Sequence, residues 1–453
     1  MSASSKVFSF VLISFTIYLL VSFLSVFFNV SLRAFDNVNI LSDLFPESGI
    51  HTAELPKSDT AAVIVVEKKE HYDFNLYQQP KTITDFNADQ LHPSLEKLMR
   101  KLADLKTGKK KRKIRIAYFG DSMIEGDLLT QTLRKLLQTE FGGSGVGFVP
   151  VDCVSAGFRQ TASSSASGWD AYDFKRSSSF IPPSGHVFFG NTGQVNIVNR
   201  DLRHAEVLEK SLLCGASDQE IQVNYNHTPV TIHPTEPFNR IVLSKDNKTA
   251  INLSVSSSKL PVFGMSFESE SGIIVDNFSF RGISGIELAK VKDELLASIS
   301  KNNAYDLIVF QYGVNLLFRP NDMNFNYYAK AFKPVISKFK RAFPEAEILI
   351  VSTADRAFRY KGEYHSALGI DSVVKIQAKL AYESETSFYN QFQSMGGHDA
   401  IVDWANRSPS LANKDYIHPN HRGAEVLAGF LFEAIMKEYQ HYIMKQPSKN
   451  PHH

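Results

Sequence analysis

The stretch IRIAYFGDSMIEGDLLT, residues 114–130, constrains the chain more than any other. Ile114 to Phe119 form an alternating, apolar-rich run that reads as a buried strand. The run breaks at Gly120-Asp121-Ser122 and passes into helical spacing from Ile124 to Phe141, with Leu128, Leu129, Leu133, Leu136 and Leu137 on it. A serine at a tight strand-to-helix turn has its hydroxyl lifted clear of the sheet. The first amides of the following helix point at that spot, and the helix dipole favours negative charge there. A serine nucleophile needs both features, exposure and donors for the oxyanion that its attack creates. Gly-Asp-Ser alone also makes an ordinary turn, so the chemistry must be argued from residues downstream.

Downstream, strands and helices alternate from Ile273. Strands are expected at Ile273–Phe280, Leu307–Tyr312, Ile348–Val351 and Ser387–Tyr389. Helices are expected at Ile286–Ile299, Tyr327–Phe343 with Pro334 as a kink point, Val373–Glu383 and Gly423–Tyr439. This rhythm implies an α/β fold with a parallel sheet covered on both faces, whose sites lie at the carboxyl ends of the strands. Between about residues 151 and 271 the texture changes. Short alternating runs (His186–Phe189, Gln194–Val198, Glu220–Tyr225, Arg240–Leu243, Ala250–Val255) are separated by Gly, Asn, Asp, Ser and Pro. That pattern predicts an inserted all-β domain, a β-sandwich or jelly roll. The glycine cluster Gly142–Gly147 is no phosphate loop, because it follows a helix and lacks the Gly-Lys-Ser/Thr ending.

After a short tail of residues 1–6, residues 7–30 carry no charge and are rich in Phe, Val, Leu and Ile. The run is long enough to span a bilayer and ends without a clear Ala-x-Ala, which favours an uncleaved transmembrane signal anchor over a cleaved signal peptide. The expectation is a single-pass protein of the cytoplasmic (inner) membrane with its bulk on the periplasmic side. Residues 31–112, punctuated by Pro46, Pro56 and Pro80, read as a stalk with a helix from Pro93 to Leu105 and a short strand at Ala61–Glu67. The basic run Lys109–Lys113 reads as a solvated lead-in to the first strand. The α/β body is then expected at 113–150 and 272–440, the insertion at 151–271 and a polar tail at 441–453. With 49 basic and 47 acidic side chains the chain lacks the basic excess of a nucleic-acid binder. Its two cysteines, Cys153 and Cys214, cannot make a four-ligand metal site. Whether they pair is left open.

Four turns carry the chemistry: Gly120-Asp121-Ser122, Arg281-Gly282-Ile283-Ser284-Gly285, Gly313-Val314-Asn315 and Asp415-Tyr416-Ile417-His418-Pro419. Asp415 and His418 have the spacing for a carboxylate to fix an imidazole whose other nitrogen faces Ser122. Asp121 and Asp127 read as structural, and His421 as a surface residue. In order and placement the four turns resemble the blocks of the SGNH (GDSL-type) hydrolase superfamily. The resemblance covers about 113–148 and 272–439, and it implies a flavodoxin-like three-layer sandwich and no cofactor. It makes Ser122 the nucleophile and Asp415 and His418 its partners. Asn315 and Gly285 (Gly282 as the lesser choice) complete the oxyanion hole with the Ser122 amide. Two departures stand out, Met123 in place of the usual Leu and Leu316 in place of an Asp after Asn315.

More narrowly, residues 120–150, the β-rich insertion and residues 387–428 resemble bacterial O-acetylesterases of peptidoglycan and other envelope glycans, which carry a β-sandwich between the first two blocks. The resemblance implies an acetylated glycan substrate, with the insertion a carbohydrate-binding module whose Trp169, Tyr172, Phe188, Phe189 and Tyr225 are candidates for stacking on sugars. Two alternatives stay open: acetyl transfer in partnership with a membrane-bound acyltransferase, and a non-catalytic envelope protein that binds glycan through the insertion.

Overall fold

A computed structural model describes residues 74–86, 95–176, 181–201 and 206–446, with Thr16 alone ahead of them. The chain divides into two units, 1–70 and 71–453, and all the described strands lie in the second. Apart from Thr16, the expected membrane span at residues 7–30 and the strand at Ala61–Glu67 lie outside the described residues. Among the described residues, no helix is long and apolar enough to cross a membrane.

In chain order the strands are β1 Ile83–Asp85, β2 Lys113–Gly120, β3 Gly147–Val149, β4 Ala162–Asp173, β5 His186–Asn199 and β6 Leu208–Cys214. Then come β7 Ile221–Tyr225, β8 Thr228–Ile232, β9 Asn239–Asp246, β10 Ala250–Glu268 and β11 Gly272–Ser279. The last are β12 Leu307–Gln311, β13 Glu347–Val351, a hairpin of β14 Ala357–Tyr360 and β15 Glu363–Ser366, and β16 Ser387–Tyr389.

Five strands pair in parallel in the spatial order β11-β2-β12-β13-β16. Numbered along the chain this is 2-1-3-4-5, the flavodoxin-like order, and its switch point falls between β2 and β12. Alternate residues serve opposite faces. Ile116, Tyr118, Val309 and Leu349 enter one core with the helices Thr130–Phe141 and His421–Lys445. Ala117, Phe119, Phe310 and Ile350 enter the other, with the helices Asn326–Ala342 and Ile370–Ser384. Two buried faces explain why these strands read as near-continuous apolar runs.

The stalk expected to run to residue 112 is shorter. β1 pairs antiparallel with β16 at the sheet edge. The helix Glu96–Lys106 buries Leu98, Met99 and Leu102, while Glu347 accepts hydrogen bonds from the amides of Lys97 (3.1 Å) and Leu98 (2.7 Å) at its first turn. A three-residue strand has too little pattern to announce itself. Part of the basic run is also absorbed, since Arg112 pairs with Asp306 at 2.9 Å and Lys113 with Glu209 and Glu268 at 3.1 and 2.8 Å.

β3 to β10 form one antiparallel sheet, which begins at Gly147, ahead of the expected boundary at 151. The 19-residue β10 joins its parts, pairing with β5 and β7 along its first half and with β6 and β3 along its second. Pro261 lies at the changeover, where the register with β5 slips between Ser257 and Val262, a place where the missing N–H costs no regular ladder bond. Glu268, fully buried at the end of β10, receives Arg115 (2.7 Å), Lys113 (2.8 Å) and Arg240 (2.7 Å), which ties this sheet to β2. Burial would raise its carboxyl, but Arg240, Arg115 and Lys113 outweigh burial and hold it at about 2.

Candidate active site

β2 delivers the first site residue. At its end, Gly120 has no room for a Cβ, which would stand 2.8 Å from the Ile124 side chain and 3.1 Å from the Gln311 carbonyl. Asp121 is buried, and its carboxylate accepts the Met123 amide at 2.9 Å, folding the turn around Ser122. Burial pushes this carboxyl up to about 7, against the Met123 amide, His418 and Asn315. The helix expected from Ile124 begins only at Thr130. Ahead of it, Glu125–Asp127 form a 3-10 turn in which Gly126 and Asp127 take positive φ values of 70° and 64°. The first regular helical turn therefore does not follow Ser122 directly. Asp127 instead closes a buried cluster with Arg134, Thr130 and Thr161.

The Asp415–His418 segment brings a carboxylate and an imidazole together. Asp415 accepts the amides of Ile417 (3.0 Å) and His418 (3.1 Å) through one oxygen and meets His418 Nδ1 at 2.8 Å through the other. Tyr416, at φ 56°, makes the turn that lets three residues fold back this way. Burial raises the Asp415 carboxyl, but the His418 side chain and these amides more than offset it and hold it at about 2. The second imidazole nitrogen, Nε2, lies 2.9 Å from Ser122 Oγ. A proton on Nδ1 shared with Asp415 leaves Nε2 as the acceptor for the serine hydroxyl.

Asn315 follows β12 across the switch point. Its side-chain amide donates to Asp121 at 3.1 Å and to the Ile283 carbonyl at 2.9 Å, so it links the Ser122 turn to the Arg281–Gly285 loop. Of the two candidate glycines in that loop, Gly282 lines the cleft with Ser122, Asn315 and His418. Gly285 does not. It faces inward, where a Cβ would stand 2.7 Å from the Tyr312 ring and 2.8 Å from Phe332. Gly282 therefore borders the cleft, and Gly285 packs behind it.

Sequence reasoning missed two further residues here. Glu125, buried, accepts Arg281 Nε at 2.8 Å and its terminal nitrogen at 2.5 Å, clamping the segment after Ser122 to the loop carrying Gly282. No local pattern marks this pair, whose members are 156 residues apart. His421, expected at the surface, is half-buried and lines the cleft, with its Nδ1 buried and unpartnered. The cleft has a volume of about 540 Å³.

Of the aromatics proposed to stack on sugars, Phe188 and Tyr225 belong to the core of the antiparallel sheet. Trp169 lies over Gly190 and Gly193 and donates to the Gln194 carbonyl at 2.9 Å. Tyr172 is exposed and meets the partly buried Phe189 edge-on. Both cysteines are free, Cys153 half-buried and Cys214 buried. Among the described residues no group of three His, Cys, Asp or Glu side chains is placed to hold a metal ion.

The class that this geometry defines is a flavodoxin-like α/β fold with serine, histidine and aspartate side chains meeting at the carboxyl edge of its parallel sheet. Comparison with solved structures finds the same fold. A peptidoglycan O-acetylesterase superposes with a TM-score of 0.66 at 19% identity, over 79% of this chain and 99% of its own. A family two carbohydrate esterase from Clostridium thermocellum (TM-score 0.27, 10% identity, 60% of this chain and 100% of its own) aligns too loosely to carry an argument. The same holds for a GDSL-like lipase from Parabacteroides merdae (TM-score 0.29, 19% identity, 36% and 72%). No protein-family model and no curated protein matches the sequence.

Proposed function

We propose that the chain is a serine esterase that removes O-acetyl groups from a cell-envelope glycan through an acetyl-serine intermediate. The observation that carries this is the unbroken relay from Ser122 to His418 (2.9 Å) to Asp415 (2.8 Å) at the carboxyl edge of a parallel sheet. Ser122 Oγ attacks the acetyl carbonyl as His418 Nε2 takes its proton. The resulting oxyanion is met by the Ser122 amide, by a glycine amide of the Arg281–Gly285 loop and by the Asn315 side chain. The tetrahedral species collapses, the bond to the sugar oxygen breaks, and the imidazolium returns the proton to the leaving hydroxyl. Water, deprotonated by His418, then attacks the acetyl-serine and releases acetate. A glycan ester as substrate is supported by the likeness in fold to a peptidoglycan O-acetylesterase. In the same reading, residues 7–30 hold the enzyme at the inner membrane with the site on the periplasmic side.

Ser122→Ala tests the assignment. It is expected to abolish acetate release from p-nitrophenyl acetate and from O-acetylated cell-wall glycan while leaving the thermal unfolding curve unchanged. Undiminished turnover rejects it.

A further inference from the structure

The loop after β13 touches two of the turns that meet around Ser122. Arg356 Nη1 donates to the carbonyl of Val314 at 3.0 Å, one residue before Asn315. The next residue, Ala357, opens β14 and donates its amide at 3.0 Å to the carbonyl of Tyr416, inside the Asp415–His418 turn. From β15 the Tyr364 ring stacks on the Tyr416 ring, with centroids 4.0 Å apart and planes at 26°. Two consecutive residues therefore grip the Asn315 turn and the His418 turn at once. Arg356 is itself held from several sides. Its amide donates at 2.9 Å to the buried Asp355 carboxylate, which also accepts Ser366 Oγ at 2.7 Å and the Ile401 amide at 3.0 Å. Its carbonyl accepts the Ala367 amide at 2.8 Å and closes the hairpin. Its guanidinium lies 4.8 Å from the Phe358 ring centre, within reach of a cation–π contact.

An arginine is an expensive choice for stability alone. The side chain is half-buried, and its Nε is buried with no hydrogen-bond partner among the described residues. Burial lowers the pKa of the guanidinium, and the nearby Asp415 carboxylate opposes that shift. A well-packed apolar residue in the same place would carry neither the unpaired N–H nor the desolvated charge. What only a long side chain with a planar, always-charged head supplies here is the reach from the hairpin to the Val314 carbonyl.

We infer that Arg356 is a positioning residue: through the Val314 carbonyl it fixes where the Asn315 amide stands relative to the Asp415–His418 turn. The inference rests on the serine esterase reading, in which that amide meets the oxyanion. Arg356 does not line the cleft with Ser122 and Asn315, so it acts through Asn315 and touches no substrate. A displaced oxyanion donor is missed in the transition state and hardly at all in the bound ester, so the loss falls on kcat and not on KM.

The test is a double-mutant cycle between Arg356→Met and Asn315→Ala in the full chain, read by steady-state kinetics on p-nitrophenyl acetate. Arg356→Met alone is expected to lower kcat about tenfold with KM held within about twofold. In the Asn315→Ala background the same substitution is expected to lower kcat by less than about twofold, because the donor it positions is gone. Arg356→Lys, which keeps a donor for the Val314 carbonyl, is expected to hold kcat within about threefold of wild type. Arg356→Gln, too short to reach that carbonyl, takes the place of the methionine variant should that one not fold. Equal fold-losses in the two backgrounds make Arg356 a merely structural residue and overturn the inference, as does a wild-type kcat in the single variant. Undiminished turnover by Ser122→Ala rejects the esterase reading, and a wild-type kcat in Asn315→Ala removes Asn315 from the reaction; either takes the inference with it.

Discussion

Asn315→Ala separates a catalytic role from a structural one. In the resting site its amide nitrogen is committed twice, to Asp121 at 3.1 Å and to the Ile283 carbonyl at 2.9 Å. Meeting an oxyanion requires one hydrogen to swing away, and the longer bond to Asp121 is the one to yield. Removing the amide should therefore cost about 3 kcal/mol in the transition state, or roughly 100- to 1,000-fold in kcat, the usual loss for one oxyanion donor. The fold should also lose about 1–3 kcal/mol, because the buried Asp121 carboxyl and the Ile283 carbonyl each lose a donor. The second loss depends on pH. The Asp121 carboxyl is raised to about 7 by burial, with Asn315 among the groups that oppose the rise. A carboxyl raised in the folded state stabilises the fold at low pH and loses that contribution as pH climbs through its folded value. Without Asn315 the value rises further, so the deficit in stability should be larger at pH 8, where the carboxylate is ionised, than at pH 6. Urea unfolding at both pH values and steady-state kinetics on p-nitrophenyl acetate read the two effects independently. A variant that keeps kcat within about threefold while losing stability would make Asn315 a turn residue and remove it from the reaction.

Asp415→Asn should lower kcat by about four orders of magnitude with little change in KM, since an amide cannot hold the His418 tautomer. An unchanged far-ultraviolet spectrum would tie that loss to the site. Gly285→Ala should lower Tm, because its Cβ would stand 2.7 Å from Tyr312 at a backbone φ of 92°; overpacking of this kind costs about 1–3 kcal/mol. Its kcat below the transition separates the two glycines: a value near wild type leaves the oxyanion role to Gly282, and a selective loss of kcat places Gly285 in it. Acid should unfold the protein in two buried places. Burial would raise Asp127, yet Arg134 and Arg159 hold it at about 2, as Arg240, Arg115 and Lys113 hold Glu268. Depressed carboxyls contribute stability above their unfolded values and lose it as pH falls towards 2. The two are worth about 2 and 3 kcal/mol, so ΔG of unfolding should fall steeply between pH 4.5 and 2 in a urea titration series.

What was legible in the sequence shares a physical trait. Asp415 makes its turn with Ile417 and His418, two and three residues on, so the spacing itself encodes the geometry that holds the imidazole. Ser122 is likewise set by Asp121 and Met123 beside it. The parallel strands announced themselves because both faces are buried. Where distant packing decides, the chain gave the wrong signal. Gly190-Asn191-Thr192-Gly193 looks like a turn between two strands, but it lies inside β5, and its glycines leave room for the Trp169 ring. Ser256 to Pro261 looks like the end of a strand, yet β10 runs through it to change partners. Gly282 and Gly285 both take positive φ, at 78° and 92°, and local pattern cannot rank them. Tyr312 and Phe332 exclude a side chain at 285, while 282 opens on the cleft. The loop that carries them is held by Glu125 and Arg281, 156 residues apart. The turn of Ser122 and the hold on His418 are therefore encoded locally, and the cleft beside them is encoded by the tertiary fold. Substitutions in the pocket's support, such as at Tyr312 or Glu125, should thus alter catalysis while leaving all four sequence blocks intact.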